Sequence, residues 1–473
     1  MQYKLSSYIV FSESFLEPDK VLVYSTRTNK LLKIAREFRT LLQDNRLEDI
    51  PEGAIQYLAD QKVLVADGEQ ELSTVIAENR AHNEENSSTL YEVIQPSAWC
   101  QLGCHYCGQE HKEKLLGELE IDKILSRIET KLAAGNCTGL EIGWFGGEPL
   151  SGLSSMRIIN ARLKEMTARL NIRYQSKIVT NGVNLKFSVF KELIEDFNVR
   201  HMEVTLDGLG DFHDQNRALK TKKGSFHTIY NNLLSILLSD YFDVNRHSIS
   251  IRCNVNKDNF SGIEPLLYKL KEDNLHDKIR SIYFMSIYSW AQNHADVSSY
   301  TKEEFAYLRL KLECLKIMLG YRYSFILPRE RKYNTCMATD ARSEMYDPYG
   351  NVFNCTEVSL TDVYKDTAYE MGNIKFLDAD SKPKRIFSNW FESIEKNAHY
   401  QCHSCKVFPI CGGGCPKSWM EKNAPCPTFR NSIAADIRLK EIMSHAGEEN
   451  KADLVASFEK GLKSSDFIYN NNW

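Results

Sequence analysis

Trp99-Cys100-Gln101-Leu102-Gly103-Cys104-His105-Tyr106-Cys107-Gly108 sets three cysteines at spacings of three and then two residues. A loop this short, with Gly103 and Gly108 to let it turn, can aim three sulfurs at one face of a metal centre. Three ligands leave one position open. An iron-sulfur cube held by three protein thiolates has one iron free to bind something else, whereas a structural zinc site closes with four ligands. The competing readings are a zinc knuckle short of one ligand and three unrelated buried cysteines.

Around this loop the chain runs to 473 residues, which suggests two or three domains. The net charge is -4 and the pI about 6.3, with both signs interspersed. Neither balance points to nucleic acid or an anionic membrane as the main partner. The opening Met-Gln-Tyr-Lys-Leu-Ser-Ser lacks the basic region, apolar core and cleavage site of a secretory signal. No run of about 18 apolar residues occurs, so a soluble, cytoplasmic protein is expected. Thirteen cysteines in such a chain call for clusters or metals. A secreted disulfide scaffold belongs to short, loop-rich sequences.

Residues 1–66 read as a small separate module. Tyr8-Ile9-Val10-Phe11, Lys20-Val21-Leu22-Val23-Tyr24 and Lys62-Val63-Leu64-Val65 are β-rich runs. Thr28-Asn29-Lys30 supplies a turn before Leu31 to Leu42, whose apolar spacing suits a helix, and a second helix follows Pro51. Such a makeup is winged-helix-like. Without a basic recognition helix, a strand edge that accepts a peptide fits at least as well as DNA reading. Residues 67–89, with Glu69, Glu71, Glu78, Glu84, Glu85 and the end Ser87-Ser88-Thr89, read as a linker with a solvated charged face.

From 90 to 320 strands and helices alternate. Strands are expected at Tyr91–Gln95, Gly139–Phe145, Tyr174–Thr180, Met202–Leu206, Ser248–Val255 and Ser281–Ile287. Helices are expected at 118–134, 154–170, 187–196, 225–239, 261–273 and 302–319. Six β-α units imply a parallel sheet with right-handed crossovers, and six suit a partial, TIM-like (βα)6 barrel better than a closed eight-fold one. Sites in such sheets lie at the C-terminal strand ends, where Cys100 falls. After the second strand comes Gly146-Gly147-Glu148-Pro149, whose glycines admit close backbone approach and whose carboxylate can accept an ammonium. Thr180-Asn181-Gly182 follows the third strand, and Thr205-Leu206-Asp207-Gly208 the fourth, with His213-Asp214 and Arg217 beyond. Hydroxyl, amide and carboxylate groups there can hold a ribose, and Arg217 can fork onto a carboxylate. Ordinary turns with satisfied Asn and Asp side chains explain each one separately.

Taken together these residues resemble the radical SAM superfamily. Cys100, Cys104 and Cys107 match its three-cysteine motif, with the aromatic Tyr106 before the last cysteine. Gly146-Gly147-Glu148-Pro149 is similar to its SAM-amine motif, and the Asp207 to Arg217 run to its peptide-modifying branch. The resemblance implies S-adenosyl-L-methionine (SAM) on the open iron of a 4Fe-4S cluster. It places Glu148 near the SAM amine, Arg217 near its carboxylate, and Thr180, Asn181 and Thr205 around the ribose. It also implies a one-electron cleavage of SAM to a 5′-deoxyadenosyl radical, with flavodoxin or ferredoxin as the low-potential donor.

The C-terminal third carries Cys336, Gly350 and Cys355, then Cys402-x2-Cys405-x5-Cys411-x3-Cys415, then Cys426. Seven thiolates make one full four-cysteine site and one three-ligand site, and a pair of zinc ribbons is the competing reading. The spacings resemble the SPASM extension of radical SAM proteins, here 321–440, followed by a tail 441–473. The resemblance implies two auxiliary clusters, hence three iron-sulfur clusters in all. It assigns Cys402, Cys405, Cys411 and Cys426 to one, and Cys336, Cys355 and Cys415 to the other.

The same resemblance implies a maturase of ribosomally made peptides. Its N-terminal module would bind a precursor's leader as an added strand, and its barrel would install a carbon-carbon, carbon-oxygen or thioether crosslink. A sulfatase-maturating, formylglycine-forming enzyme is the alternative within the superfamily. Such enzymes carry Asp directly after the cysteine aligned with Cys355, where this chain has Thr356 and then Glu357. From another class, a zinc-containing winged-helix binding protein remains. No catalytic acid or base is identified; Glu357, Asp347 and Tyr349 are candidates by position alone. Fully ligated SPASM domains have a cysteine just upstream of Cys336, where Tyr333-Asn334-Thr335 stands here, so the second auxiliary site is expected to keep an open position. Cys314 lies in a helical pattern and reads, like Cys137 and Cys253, as a core thiol. Cys314→Ala is expected to leave the iron content unchanged; loss of about one cluster's iron on elemental analysis would refute that reading.

Overall fold

The computed structural model describes residues 2–85, 88–135, 137–289, 293–322, 324–328, 330–396, 401–423 and 425–468. Ser87 of the charged stretch and the last five residues of the tail lie outside them.

Among the described residues fourteen strands run in chain order. They are β1 (Tyr3–Leu5), β2 (Ile9–Glu13), β3 (Lys20–Ser25), β4 (Lys30–Ala35), β5 (Leu64–Ala66), β6 (Thr89–Ile94) and β7 (Gly139–Trp144). β8 (Arg173–Thr180), β9 (Val199–Thr205), β10 (Ile249–Val255), β11 (Ser281–Ser286), β12 (Glu344–Tyr346), β13 (Asn351–Phe353) and β14 (Glu370–Asn373) follow. The central sheet has the order β11-β10-β9-β8-β7-β6-β12-β13-β14. β6 to β11 are parallel, as the alternation predicts, with helices Glu118–Ala134, Leu153–Arg169, Phe187–Glu195, Phe226–Leu237 and Ile263–Glu272 between or beside them and Lys302–Met318 after β11.

The strands are two-faced. In β10, Ile249, Ile251, Cys253 and Val255 are buried in the main core, while Ser250, Arg252 and Asn254 point the other way. That second face carries the polar side chains of the barrel interior: Tyr283 of β11 donates to Glu203 of β9, and Arg252 donates to Asn254. Cys253 sits in the helix-facing core, Cys137 packs against it, and Cys314 is fully buried among Ala306, Leu310, Ala435 and Leu439.

Six strands are not the whole sheet. β12 adds to the free side of β6 in parallel, Tyr346 opposite Ile94, and β13 and β14 continue antiparallel. A buried ion cluster joins the two parts. Arg127 forks onto Glu344 at 2.6 and 2.8 Å and donates to the carbonyls of Asp378, Ala379 and Ser381. Lys131 bridges Glu344 and Glu92, each at 2.7 Å, and Arg385 reaches Glu344 at 3.0 Å.

At the N-terminus β2, β3 and β4 form an antiparallel sheet, β1 pairs with β5, and two helices, Arg36–Gln43 and Glu52–Asp60, complete the module. The helix expected from Leu31 begins only at Arg36. Asn29 adopts φ 61° in the turn and its N–H bonds the Ser25 carbonyl, which folds Lys30–Ala35 back onto β3 as a strand. The helix Phe429–His445 lies against β2, with Ser12 donating to the Ala434 carbonyl and Ser14 to Glu441. Among the described residues no strand pairs with the outer edge of β4.

The expected linker is a helix, Glu71–Glu85, and Glu71 and Glu78 on it are paired while Glu84 and Glu85 stay exposed. Glu71 accepts from Ser7 N at 2.7 Å, and Glu78 is shared by Arg27 and Arg331. Against the upward pull of burial, those two guanidinium groups hold Glu78 below the usual carboxylate range.

The Glu344 cluster yields a stability test. Burial pulls its pKa up, but Arg127 and Lys131 bring it from 4.5 down to about 2. A folded-state pKa below the unfolded one gives stability that is present above 4.5 and lost as pH falls toward about 2. Glu344→Gln is expected to cost about 3 kcal/mol at neutral pH by leaving buried cations under-compensated. In thermal melts the gap to wild type should close as pH falls from 4.5 toward 2; a constant gap would show that Glu344 acts by packing alone.

Candidate active site

The loop after β6 begins at Gln95, whose N–H extends the ladder to the Tyr346 carbonyl at 2.9 Å. The loop after β7 crosses it at the paired glycines. A Cβ on Gly147 would lie 2.9 Å from the carbonyl oxygens of both Ala98 and Trp99, and one on Gly146, at φ +125°, 3.0 Å from Ser97 O. The close approach those glycines permit is therefore first to the chain's own backbone, and it fixes the segment that launches Cys100.

Cys100 is buried, Cys104 and Cys107 half-buried. Burial pushes the Cys100 thiol up to about 11, helped by Glu148, and the Cys104 thiol up to about 12. Burial raises the core thiols Cys253 and Cys314 in the same way, so what suits ligation is the placement of three thiols on one short loop. Asn181 Nδ2 lies 3.5 Å from Cys100 Sγ, and Arg217 stands beside Cys104, favouring its anion.

Glu148 is fully buried and already holds three donors: Leu150 N at 3.0 Å and Thr180 Oγ1 at 2.6 Å on Oε1, and Asn181 N at 2.7 Å on Oε2. Burial raises its pKa above the usual carboxylate value. The Thr180 hydroxyl proton is thus committed to Glu148, which makes Thr180 a positioning residue for that carboxylate and not a free ribose contact. Asn181 joins the same cluster by its backbone. Thr205 closes β9, buried, level with Arg252 of β10.

Next to this lies a second network. The Tyr106 hydroxyl donates to Asp207 Oδ2 at 2.6 Å and accepts from Arg217 Nη1 at 2.6 Å and Asn254 Nδ2 at 3.0 Å. Asn254 N and Asn259 Nδ2 hold Asp207 through its Oδ1 and its carbonyl. Asp207 N–H donates to His213 Nδ1, so His213 carries its proton on Nε2 and donates it to Ser225 Oγ, which in turn donates to the Arg217 carbonyl. Burial, and then Arg217, keeps His213 well below 6.5 and neutral. Asp214 accepts from Ser225 N and Phe226 N at the start of the helix Phe226–Leu237. His213 and Asp214 therefore build the site without entering it. Arg217 keeps its Nε, 4.0 Å from Asp207, without a hydrogen bond while almost entirely buried. An unsatisfied guanidinium donor in such a place fits a carboxylate ligand.

Asn254, Asn259 and Arg252 were not among the predicted site residues. The signal available for two of them was parity: Arg252 and Asn254 are the polar alternates of an otherwise apolar strand.

In the last third, Cys402, Cys405, Cys411 and Cys426 line one small cavity of about 20 Å³ with Phe408, Trp419 and Arg430. Cys336 and Cys355 are raised by burial and then by neighbours that include Cys415. Four thiols thus share one pocket, and Cys415 stands near enough to Cys336 and Cys355 to raise both. Gly412, Gly413 and Gly414, at φ 72°, 100° and 73°, curl the chain between Cys411 and Cys415. Among the described residues no three Cys, His, Asp or Glu side chains are arranged to hold a single metal ion. Where the upstream cysteine is missing, Thr335 donates to the Gly412 carbonyl at 2.6 Å and Tyr333 stacks on His82. Asp347 is a turn residue, accepting from Tyr349 N, Asn351 N and Asn351 Nδ2, with burial raising it to about 6. Glu357 is raised by burial and opposed by Arg252 and Lys417. The segment after Cys355 reaches the first loop: Gln95 Nε2 donates to Ser359 Oγ at 2.7 Å and Glu110 N to Leu360 O at 2.6 Å.

Residues 94–237 match the family model of the Radical SAM superfamily. Over 380 residues the chain is 25% identical to a cysteine-type anaerobic sulfatase-maturating enzyme of Clostridium novyi (strain NT), spanning 72% of this chain and 92% of that protein. Over 426 residues it is 22% identical to the radical SAM cyclopropyl synthase TigE of Paramaledivibacter caminithermalis, spanning 84% of this chain and 82% of that one. Among solved structures, native anSMEcpe with bound AdoMet aligns with a TM-score of 0.55 at 16% identity, over 78% of this chain and 99% of its own. Streptococcus suis SuiB aligns at 0.50 and 15%, over 89% and 97%. These two likenesses show a shared fold.

Tyr106→Phe removes the hydroxyl that ties Asp207, Arg217 and Asn254 together. A loss of about 2 kcal/mol in denaturant unfolding is expected from the buried charge left short of a partner; an unchanged midpoint would mean the network contributes no stability. With the cysteine loop, its glycine cradle and the family match falling on the same strands, the chain carries a radical SAM domain and is a radical SAM enzyme.

Proposed function

We propose that this enzyme oxidatively modifies a leader-bearing ribosomal peptide and installs an intramolecular carbon-carbon, carbon-oxygen or thioether crosslink. The observation that carries the reading is the outer edge of β4, which no strand covers among the described residues. An extended peptide can pair there through backbone hydrogen bonds, adding a fourth strand to the sheet of the winged-helix-like module.

In this reading a 4Fe-4S cluster on Cys100, Cys104 and Cys107 supplies the electron that cleaves SAM to a 5′-deoxyadenosyl radical. The chain's own residues orient the cofactor. A carboxylate offers about four acceptor positions, and Glu148 uses three, which leaves one for the SAM ammonium. Arg217 has its Nε without a hydrogen-bond partner and would offer it to the SAM carboxylate. Gly146 and Gly147 keep the loop low enough to admit the amine end, and Asn181 and Thr205 border the ribose. Tyr106 fixes Arg217 and Asp207 from the cysteine loop. Closing a crosslink would remove two hydrogens from the peptide, one as an atom to the 5′-deoxyadenosyl radical and one as a proton, and Cys402, Cys405, Cys411 and Cys426 and Cys336, Cys355 and Cys415 would hold the auxiliary clusters able to accept the remaining electron. The second of these keeps an open position on its three-thiol side.

Sulfatase maturation is the second reading, favoured by the similarity to the Clostridium novyi enzyme. The product separates them. Co-expression with a candidate precursor peptide is expected to give a product lighter by two hydrogens for each crosslink with every sulfur retained, whereas formylglycine formation from cysteine removes two hydrogens and also replaces the sulfur by oxygen. The variant Cys100→Ala/Cys104→Ala/Cys107→Ala is expected to make no 5′-deoxyadenosine while keeping roughly two clusters' worth of iron. Continued 5′-deoxyadenosine production by that variant would contradict the cluster assignment.

A further inference from the structure

The turn Lys220-Thr221-Lys222-Lys223 takes no part in the chemistry above, yet it is built onto the cysteine loop. Gly103 N donates to Ala218 O at 2.9 Å, Lys220 N to Gln101 O at 2.9 Å and His105 N to Asn216 O at 3.3 Å. Leu102 and Leu219 form an antiparallel bridge between the two segments. The turn closes on itself through Lys222 N to Leu219 O at 2.8 Å and Leu219 N to Lys223 O at 2.9 Å, with Lys222 at φ 65°. Residues 220–224 are exposed, as are Gly103 and His105 on the loop beneath.

Its charge is unusual for this chain. The protein is acidic overall, with a net charge of -4, yet three lysines crowd one turn. The Lys220 ammonium lies 3.8 Å from the centre of the Trp99 ring, beside Cys100. Among the described residues no carboxylate forms a salt bridge with Lys220, Lys222 or Lys223. Clustered like charges without an internal partner are a cost in the free protein that an anionic surface removes. An exposed turn can touch a partner but cannot enclose a ligand. That geometry suits electron transfer, which needs proximity and is served by small, charge-steered, short-lived interfaces.

We propose that this turn is the landing surface for an acidic one-electron carrier protein of the flavodoxin or ferredoxin class, which reduces the cluster on Cys100, Cys104 and Cys107. The step moves one electron: the carrier is oxidised by one, the cluster is reduced by one, and no proton or group changes place. The proposal rests on the reading of that loop as the SAM-cluster site. It adds the side from which the electron arrives, over Gly103 and His105.

The test uses the reconstituted holoenzyme and a bacterial flavodoxin reduced to its hydroquinone. Lys222→Glu/Lys223→Glu is compared with wild type and with Lys382→Glu/Lys384→Glu, which makes the same charge change elsewhere on the exposed surface. Stopped-flow absorbance reads the bimolecular rate of cluster reduction, and calorimetry reads flavodoxin binding. At low ionic strength the turn variant is expected to be reduced at least roughly tenfold more slowly and to bind correspondingly more weakly. The difference should shrink at about 0.5 M salt, and the control pair should match wild type. Lys222→Gln/Lys223→Gln should fall between the two. Dithionite-driven 5′-deoxyadenosine formation should be equal in all four proteins, which shows that cluster and SAM site are intact. Wild-type flavodoxin rates and affinity in the turn variant would overturn the proposal, as would an unchanged rate with weakened precursor-peptide binding. A wild-type protein that cleaves no SAM with dithionite would overturn the function, and this surface with it.

Discussion

Three cations converge on the buried carboxylate of Glu344, and that convergence decides where the cysteine-rich third meets the barrel. Arg127 and Lys131 come from the helix that follows β6, and Arg385 from the segment after β14. None of these charges could be buried alone at tolerable cost; together they are satisfied only when β12 lies beside β6. That seating puts Tyr346 level with Ile94, one residue before the loop that leads to Cys100. The segment after Cys355 then reaches back to Gln95 and Glu110, on either side of the three cysteines. A single electrostatic joint thus sets the spacing between the three-cysteine loop and the cysteine-rich last third.

Within the barrel the division of labour follows from strand parity. One face of each strand packs against the helices and holds the fold, while the alternate face and the strand ends carry the polar groups. Asn254 shows the consequence: its neighbours Cys253 and Val255 are buried core, and its own side chain meets Tyr106 and Asp207. Positions of the SAM-site residues are therefore inherited from a rigid sheet, and little is left to loop mobility. The glycine pair at 146–147 extends this rigidity into the loops, because backbone packs directly on backbone there.

Much of this was legible in the amino-acid order, and the failures have physical causes. The six parallel strands and their helices follow from apolar periodicity that tertiary packing reinforces. Residues Leu31–Ala35 also had helical apolar spacing, but a left-handed Asn29 turn folded them onto the edge of β3 not taken by β2. The charged stretch at 71–85 looked solvated because its cationic partners, Arg27 and Arg331, come from distant parts of the chain. Thr180 has the right chemistry for a ribose, and only the structure reveals that Glu148 already takes its proton. β12 was hidden by its length: a three-residue strand carries too little periodicity to be read.

The helix Glu71–Glu85 makes the modular description too simple. It leaves the N-terminal sheet through Arg27, which holds Glu69, Glu71 and Glu78, and it meets Arg331 on the other side of the same Glu78. Arg331 also donates to the Val75 carbonyl and to Asn79, and two residues on Tyr333 stacks on His82, three residues before Cys336. Asn83 Nδ2 donates to the Tyr333 carbonyl at 3.1 Å. A rigid helix with paired charges on both flanks cannot act as a flexible tether. The outer edge of β4 and the segment before Cys336 are instead held at a fixed separation, so under the proposed function the span from a bound leader to a reacting residue would be set by the protein. Only the peptide between them is free to adjust, which limits the positions that can reach the barrel mouth.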